Sequence, residues 1–172
     1  MMTKLMYSDF QPEPRPWTDL TLPDRYGVFL WWPHEGIDWI YHEDVELCQQ
    51  LIPSNRIFLC ERLNSEFSRY VYGEISIRLR PSMWLEIQTD GYLVGDRVEI
   101  RSQMGKRSPA IATIEDIFFN RHQRRIEYFL SVGEHRLDEP LFFADIQPAF
   151  KLDEPLNLRQ RALMDKCRFG NA

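Results

Sequence analysis

The densest collection of chemically able side chains is Trp32-Pro-His-Glu-Gly-Ile-Asp-Trp-Ile-Tyr-His42, in which His34, Glu35, Asp38 and His42 are all of metal-ligand or acid–base type. A divalent ion needs three or four such groups converging at about 2.0–2.2 Å. His34 and His42 are eight residues apart across a loop, not at the HExxH spacing that sets two imidazoles on one helical face. His34, Asp38 and His42 therefore stand as an alternative metal set for a small metal-dependent hydrolase. The plainer expectation is that His42 caps a helix beginning at Glu43. Covalent catalysis has less to work with, because Cys48, Cys60 and Cys167 each lack an adjacent His in the sequence. No GxSxG, Walker A or Rossmann glycine pattern occurs, so nucleotide chemistry is not expected and no cofactor is called for.

The second group of interest is basic. Lys106-Arg107 and Arg121-His-Gln-Arg-Arg125 fall in two loops that neighbouring strands should hold at one end of a sheet. Lys106, Arg107, Arg121, Arg124 and Arg125 are candidate contacts for an anionic partner, a nucleic acid or an acidic protein face. The composition tempers this. The chain of 172 residues carries a net charge of −5. Residues 1–66 hold five Lys and Arg against eleven Asp and Glu, whereas residues 91–136 hold eight against six. A protein whose main task is to coat nucleic acid would carry the opposite sign.

Hydrophobic residues at 44% and charged residues at 27% are those of an ordinary globular protein. Three widely spaced cysteines fit a reducing cytoplasm better than a disulfide framework. Residues 1–17 lack the apolar core of a signal peptide, and no run of about 18 apolar residues follows. Cytoplasmic localisation, away from membranes, is the expectation.

The elements that must position these groups are mostly strands. Residues 1–24, with Pro12, Pro14, Pro16 and Pro23, read as an extended arm. The aromatic run at 26–32 reads as a buried strand, residues 43–51 as one short helix stopped by Pro53, and residues 56–61 as a strand. Residues 70–80 alternate at Ile75, Ile77 and Leu79, predicting a single strand that turns at Pro81-Ser82 into an antiparallel partner at 83–87. Further strands are predicted at 97–101, 110–119, 125–132 and 141–146, and the tail at 157–167 as one or two amphipathic turns. The fold class expected is α+β, mainly antiparallel β. Its parts are the arm at 1–24, an α+β portion at 25–90, a barrel at 91–150 and a tail at 151–172.

Residues 91–149 resemble an SH3-like small barrel of the Tudor or KOW kind. The resemblance is carried by Gly95-Asp96 ahead of a strand, Ala110-Ile-Ala-Thr-Ile114 in the next, and the closing Asp145-Ile-Gln-Pro148. It implies a noncatalytic barrel, and in the Tudor branch an aromatic cage for a methylated Lys or Arg. Tyr92, Phe118, Phe119 and Tyr128 are the cage candidates on that resemblance. Phe118 and Phe119 are adjacent, so a regular strand can turn only one of them inward. On WWPHEGIDWI and LIPSNRIF the whole chain also resembles a small group of uncharacterised bacterial proteins. The leading functional expectation is a noncatalytic binding or adaptor protein with a protein or peptide partner. A nucleic-acid-associated factor using the basic loops is the alternative.

Overall fold

In the computed structural model, which describes residues 25–32, 36–62, 66–80, 84–102, 108–149 and 158–169, two adjacent strands are buried on both faces. Strand β1 (Arg25–Phe29) pairs antiparallel with β2 (Ser54–Arg62), with Tyr26 opposite Leu59 and Gly27 opposite Phe58. Because successive strand residues point to opposite faces, this pair feeds two cores at once. Tyr26, Val28, Ile57 and Leu59 enter one, and Phe29 and Phe58 enter the other. Burial on both faces is why the sequence here shows an unbroken apolar run instead of alternation.

The second core lies between these strands, helix α1 (Val45–Leu51), and the hairpin of β3 (Ser68–Tyr72) and β4 (Ile75–Leu79). Its centre is aromatic. The Phe29 ring meets Phe58 at 5.2 Å and Tyr70 at 4.9 Å, both edge to face, a geometry that adds about 0.5–1.5 kcal/mol per pair beyond area burial. Strand β5 (Leu85–Ile87) pairs with the outer side of β1 and brings Trp84 over Gly27. A Cβ at Gly27 would lie closer than 3.0 Å to both the Trp84 indole and the Leu85 carbonyl oxygen, so only glycine permits this approach.

The first core is enclosed by a meander of β6 (Arg97–Ile100), β7 (Ala110–Asn120), β8 (Arg125–Val132) and β9 (His135–Arg136). A 3-10 turn at Phe143–Asp145 then leads into β10 (Ile146–Pro148), which returns to pair with β6. A single bridge, Arg56 opposite Phe118, joins β2 to β7. Helix α2 (Leu158–Phe169) packs Leu163 into this core, and its Arg159 forks onto Asp96 at 2.7 and 2.6 Å.

The α+β, mainly antiparallel class is therefore the observed one, and several details differ from the sequence reading. Residues 70–80 form not one strand but the β3–β4 hairpin, because Gly73, at φ +59°, supplies the left-handed residue of a two-residue turn. The strand after Pro81-Ser82 pairs with β1, not with its predecessor. Residues 141–146 give a bridge at Leu141, the 3-10 turn and only then a strand. The first helix starts at Val45, after a 3-10 turn at His42–Asp44, so His42 does not cap it. Asp44 stands at the N-cap position, but its carboxylate instead accepts from the Arg78 backbone N–H at 2.7 Å and the Arg78 guanidinium at 2.8 and 2.9 Å. The tail is a three-turn helix, longer than its sparse apolar positions implied. The proposed arm at 1–24, together with His34, Glu35, Lys106 and Arg107, lies outside the described residues. No helix among the described residues is long and apolar enough to cross a membrane.

Candidate ligand cleft

Between β5 and β6 the chain runs through Gln88, Thr89 and Asp90 without joining a strand, and a cavity of about 840 Å³ opens beside this segment. Five elements supply its walls. The segment itself gives the floor, β7 gives Phe119, the β7–β8 turn gives Arg124, the 3-10 turn gives Phe143, and α2 gives Lys166. A second cavity of about 560 Å³ shares residues 87–90 and Lys166 and continues toward Tyr26, Arg159 and Leu163.

The floor is chemically specific. The Tyr128 hydroxyl donates to Asp90 Oδ2 at 3.0 Å, and Tyr128 is in turn held edge to face against Tyr92 at 5.5 Å. Burial raises the Asp90 carboxyl above its usual range, an effect opposed by the Tyr128 hydrogen bond and by the Lys166 charge. Burial also pushes the Tyr128 and Tyr92 phenols upward, so both are neutral donors at physiological pH. Lys166 Nζ donates to the Asp90 carbonyl oxygen at 3.2 Å. The Thr89 hydroxyl oxygen is buried without a hydrogen-bond partner among the described residues.

The rim depends on one turn. Asn120 Oδ1 accepts the backbone N–H groups of His122 and Gln123, both at 3.1 Å, while its amide donates to Glu127 at 2.8 Å. The turn closes with Arg124 at φ +51°, the only non-glycine residue with positive φ among the described residues. Arg125 leaves the cleft and stacks over Phe142 at 3.9 Å, and Arg121 is exposed on the turn. Of the basic candidates among the described residues, only Arg124 lines the cavity.

The aromatic candidates separate. Tyr92 and Tyr128 are interior residues of the first core, 3% and 1% exposed, and present no open face to a methylated cation. A β-bulge between Ile114 and Asp116 reverses the facing of the rest of β7, so Ile117 and Phe119 point inward and Phe118 outward. On that outer face Phe118 meets Phe129 edge to face at 5.3 Å, with Arg56 over Phe118 and Arg136 over Phe129. Phe118 and Phe119 thus serve different surfaces, and the four rings do not surround one site.

No group of three or more His, Cys, Asp or Glu side chains poised for a metal occurs among the described residues, where Asp38 and His42 are both exposed. Two of the thiols are not activated nucleophiles, since burial pushes Cys48 up to about 12 and also raises Cys60. What the cleft holds is two cations, an oriented carboxyl and two aromatic walls, a set suited to noncovalent recognition. Asp90, Thr89, Phe143 and Lys166 were not among the sequence candidates. Each is of an ordinary surface or core type, and only the fold brings positions 89 to 166 together.

Residues 20–147 match the model of DUF6960, a family of unknown function. No curated protein and no solved structure matches the chain.

Proposed function

We propose that this chain, which belongs to the DUF6960 family, is a noncatalytic binding protein that takes a peptide segment of a partner protein in the cleft beside residues 88–90. The observation that carries this reading is the cleft itself: about 840 Å³, walled by Phe119 and Phe143 and rimmed by Arg124 and Lys166. Aromatic walls with a few convergent polar groups are the composition of a recognition site.

The barrel reading belongs to the same proposal. The order β6 to β9, a 3-10 turn, and β10 returning to β6 supports an SH3-like barrel, whose connecting turns are natural sites for recognition. The free state of all three cysteines is in keeping with a cytoplasmic setting. The test is selection of a random dodecapeptide library on the full chain, counter-selected on Phe119→Ala. Enrichment of peptides that bind the parent and lose the variant by about tenfold supports the reading. Binding only of oligonucleotides, weakening steeply with salt, overturns it in favour of the nucleic-acid alternative.

A further inference from the structure

The β7–β8 turn closes on an arginine where the backbone favours glycine or asparagine. Arg124 sits at φ +51°, a region that penalises a Cβ. Its turn is already organised by Asn120, so the arginine is not what shapes it. A strained side chain retained at such a position directs attention to what the side chain does, and this one lines the cleft. It has no hydrogen bond or ion pair among the described residues, leaving its guanidinium donors available.

Lys166 approaches the same cavity from α2. One hydrogen bond to the Asp90 carbonyl oxygen, at 3.2 Å, fixes where its ammonium points and leaves further donors of that group unused. Two acids border the cavities, Asp90 on the cleft floor and Glu86 beside it. Asp90 faces the Tyr128 hydroxyl at 3.0 Å, and Glu86 is forked by Arg25 at 3.1 and 2.5 Å.

We infer that Arg124 and Lys166 form a carboxylate subsite that selects peptides carrying an Asp or Glu side chain beside an apolar residue, the latter lying against Phe119 and Phe143. The inference rests on the peptide-binding reading above and assigns its ligand class. Charge complementarity argues for it: among the described residues lining this cavity two are cations, Arg124 and Lys166, against the single carboxyl of Asp90, which already accepts the Tyr128 hydroxyl. A planar guanidinium matches a carboxylate in two-point geometry, and the ammonium supplies a second charge.

The test uses two pools of C-terminally amidated random peptides, one with a fixed central Glu and the other with Gln, passed over the immobilised full chain. The Glu pool should be retained about tenfold better, as expected for charge-assisted bonds. That ratio should fall to near one on Arg124→Gly and on Lys166→Gln. Arg124→Gly separates function from folding, because glycine relieves the turn: its Tm should be unchanged or higher while selectivity is lost. Equal retention of both pools, still lost in Phe119→Ala, overturns the carboxylate subsite and leaves the peptide cleft standing. Retention of neither pool above the Phe119→Ala background overturns both. Inorganic phosphate displacing the Glu pool at lower concentration than free glutamate also overturns it, since the rim would then be a phosphate site.

Discussion

Gly27→Ala should be among the most damaging single-methyl changes in this protein. The new Cβ would lie closer than 3.0 Å to the Trp84 indole and to the Leu85 carbonyl oxygen. The first is a side chain and can swing away, but the second belongs to the backbone of the strand paired with β1. Relief requires Trp84 to leave its edge-to-face contact with Tyr70, at 5.3 Å, or β5 to peel from β1 with its three register pairs. Overpacking costs about 1–3 kcal/mol, and each disturbed ladder hydrogen bond adds about 1 kcal/mol, so a loss of about 3 kcal/mol is expected. For a chain of this length that corresponds to a fall in Tm of about 6–12 °C. Thermal melts followed by far-UV circular dichroism and tryptophan fluorescence measure it. Gly133→Ala is the control, because its φ is +62° with nothing within 4 Å, so it should cost only about 1 kcal/mol through backbone strain. In a Trp84→Ala background the Gly27→Ala penalty should shrink but persist, since the Leu85 carbonyl remains. A Gly27→Ala melt within 2 °C of the parent, or no smaller in effect than Gly133→Ala, would refute the close-packing argument.

Arg159→Met removes the fork onto Asp96 and should weaken docking of α2 by about 2 kcal/mol, read as roughly 30-fold faster amide exchange in that helix with little change in β7 and β8. Asp90→Asn keeps an acceptor oxygen for Tyr128 and removes a charge that burial disfavours. Because the folded carboxyl is raised, wild type gains stability as pH falls, fully present below the ordinary value of 3.8 and lost as pH climbs through the raised one. The variant should therefore melt higher than wild type at pH 7, with the advantage shrinking as Asp90 protonates; a constant difference across that range would contradict this. Cys48, buried and pushed up to about 12, should resist alkylation in the native state and react only as fast as the protein unfolds, while the partly exposed Cys167 reacts first.

The strands of the meander were legible where one face alone is buried: β8 was expected at 125–132 and lies there, and β7 differs from its expected span only by Asn120. The fully buried β1 was legible as an apolar run, but its partners were not, because a run without alternation carries no facing information. The β3–β4 hairpin was hidden because Gly73-Glu74 sits inside a pattern whose alternation continues past it, and one glycine reads equally as a bulge. The bulge after Ile114 was hidden because Ile111, Ile114, Ile117 and Phe118-Phe119 put apolar residues on both parities of β7, and it decides which of Phe118 and Phe119 meets the cleft. Arg124 was legible as a charge, though not as the one member of its basic turn that reaches the cavity. Asp90 and Lys166 are 76 residues apart and meet only because α2 folds back onto the first core, a placement that no local signal encodes.

The most direct test of the account is amide and methyl shift mapping of the labelled full chain against a peptide selected on it. Perturbations should cluster on residues 87–90, Phe119, Arg124, Phe143 and Lys166, and reach Tyr128 through its hydrogen bond to Asp90. Perturbations confined to the outer face at Phe118, Phe129 and Arg136, or to the exposed Trp31 and Ile37, would contradict it and move the binding site away from the cleft.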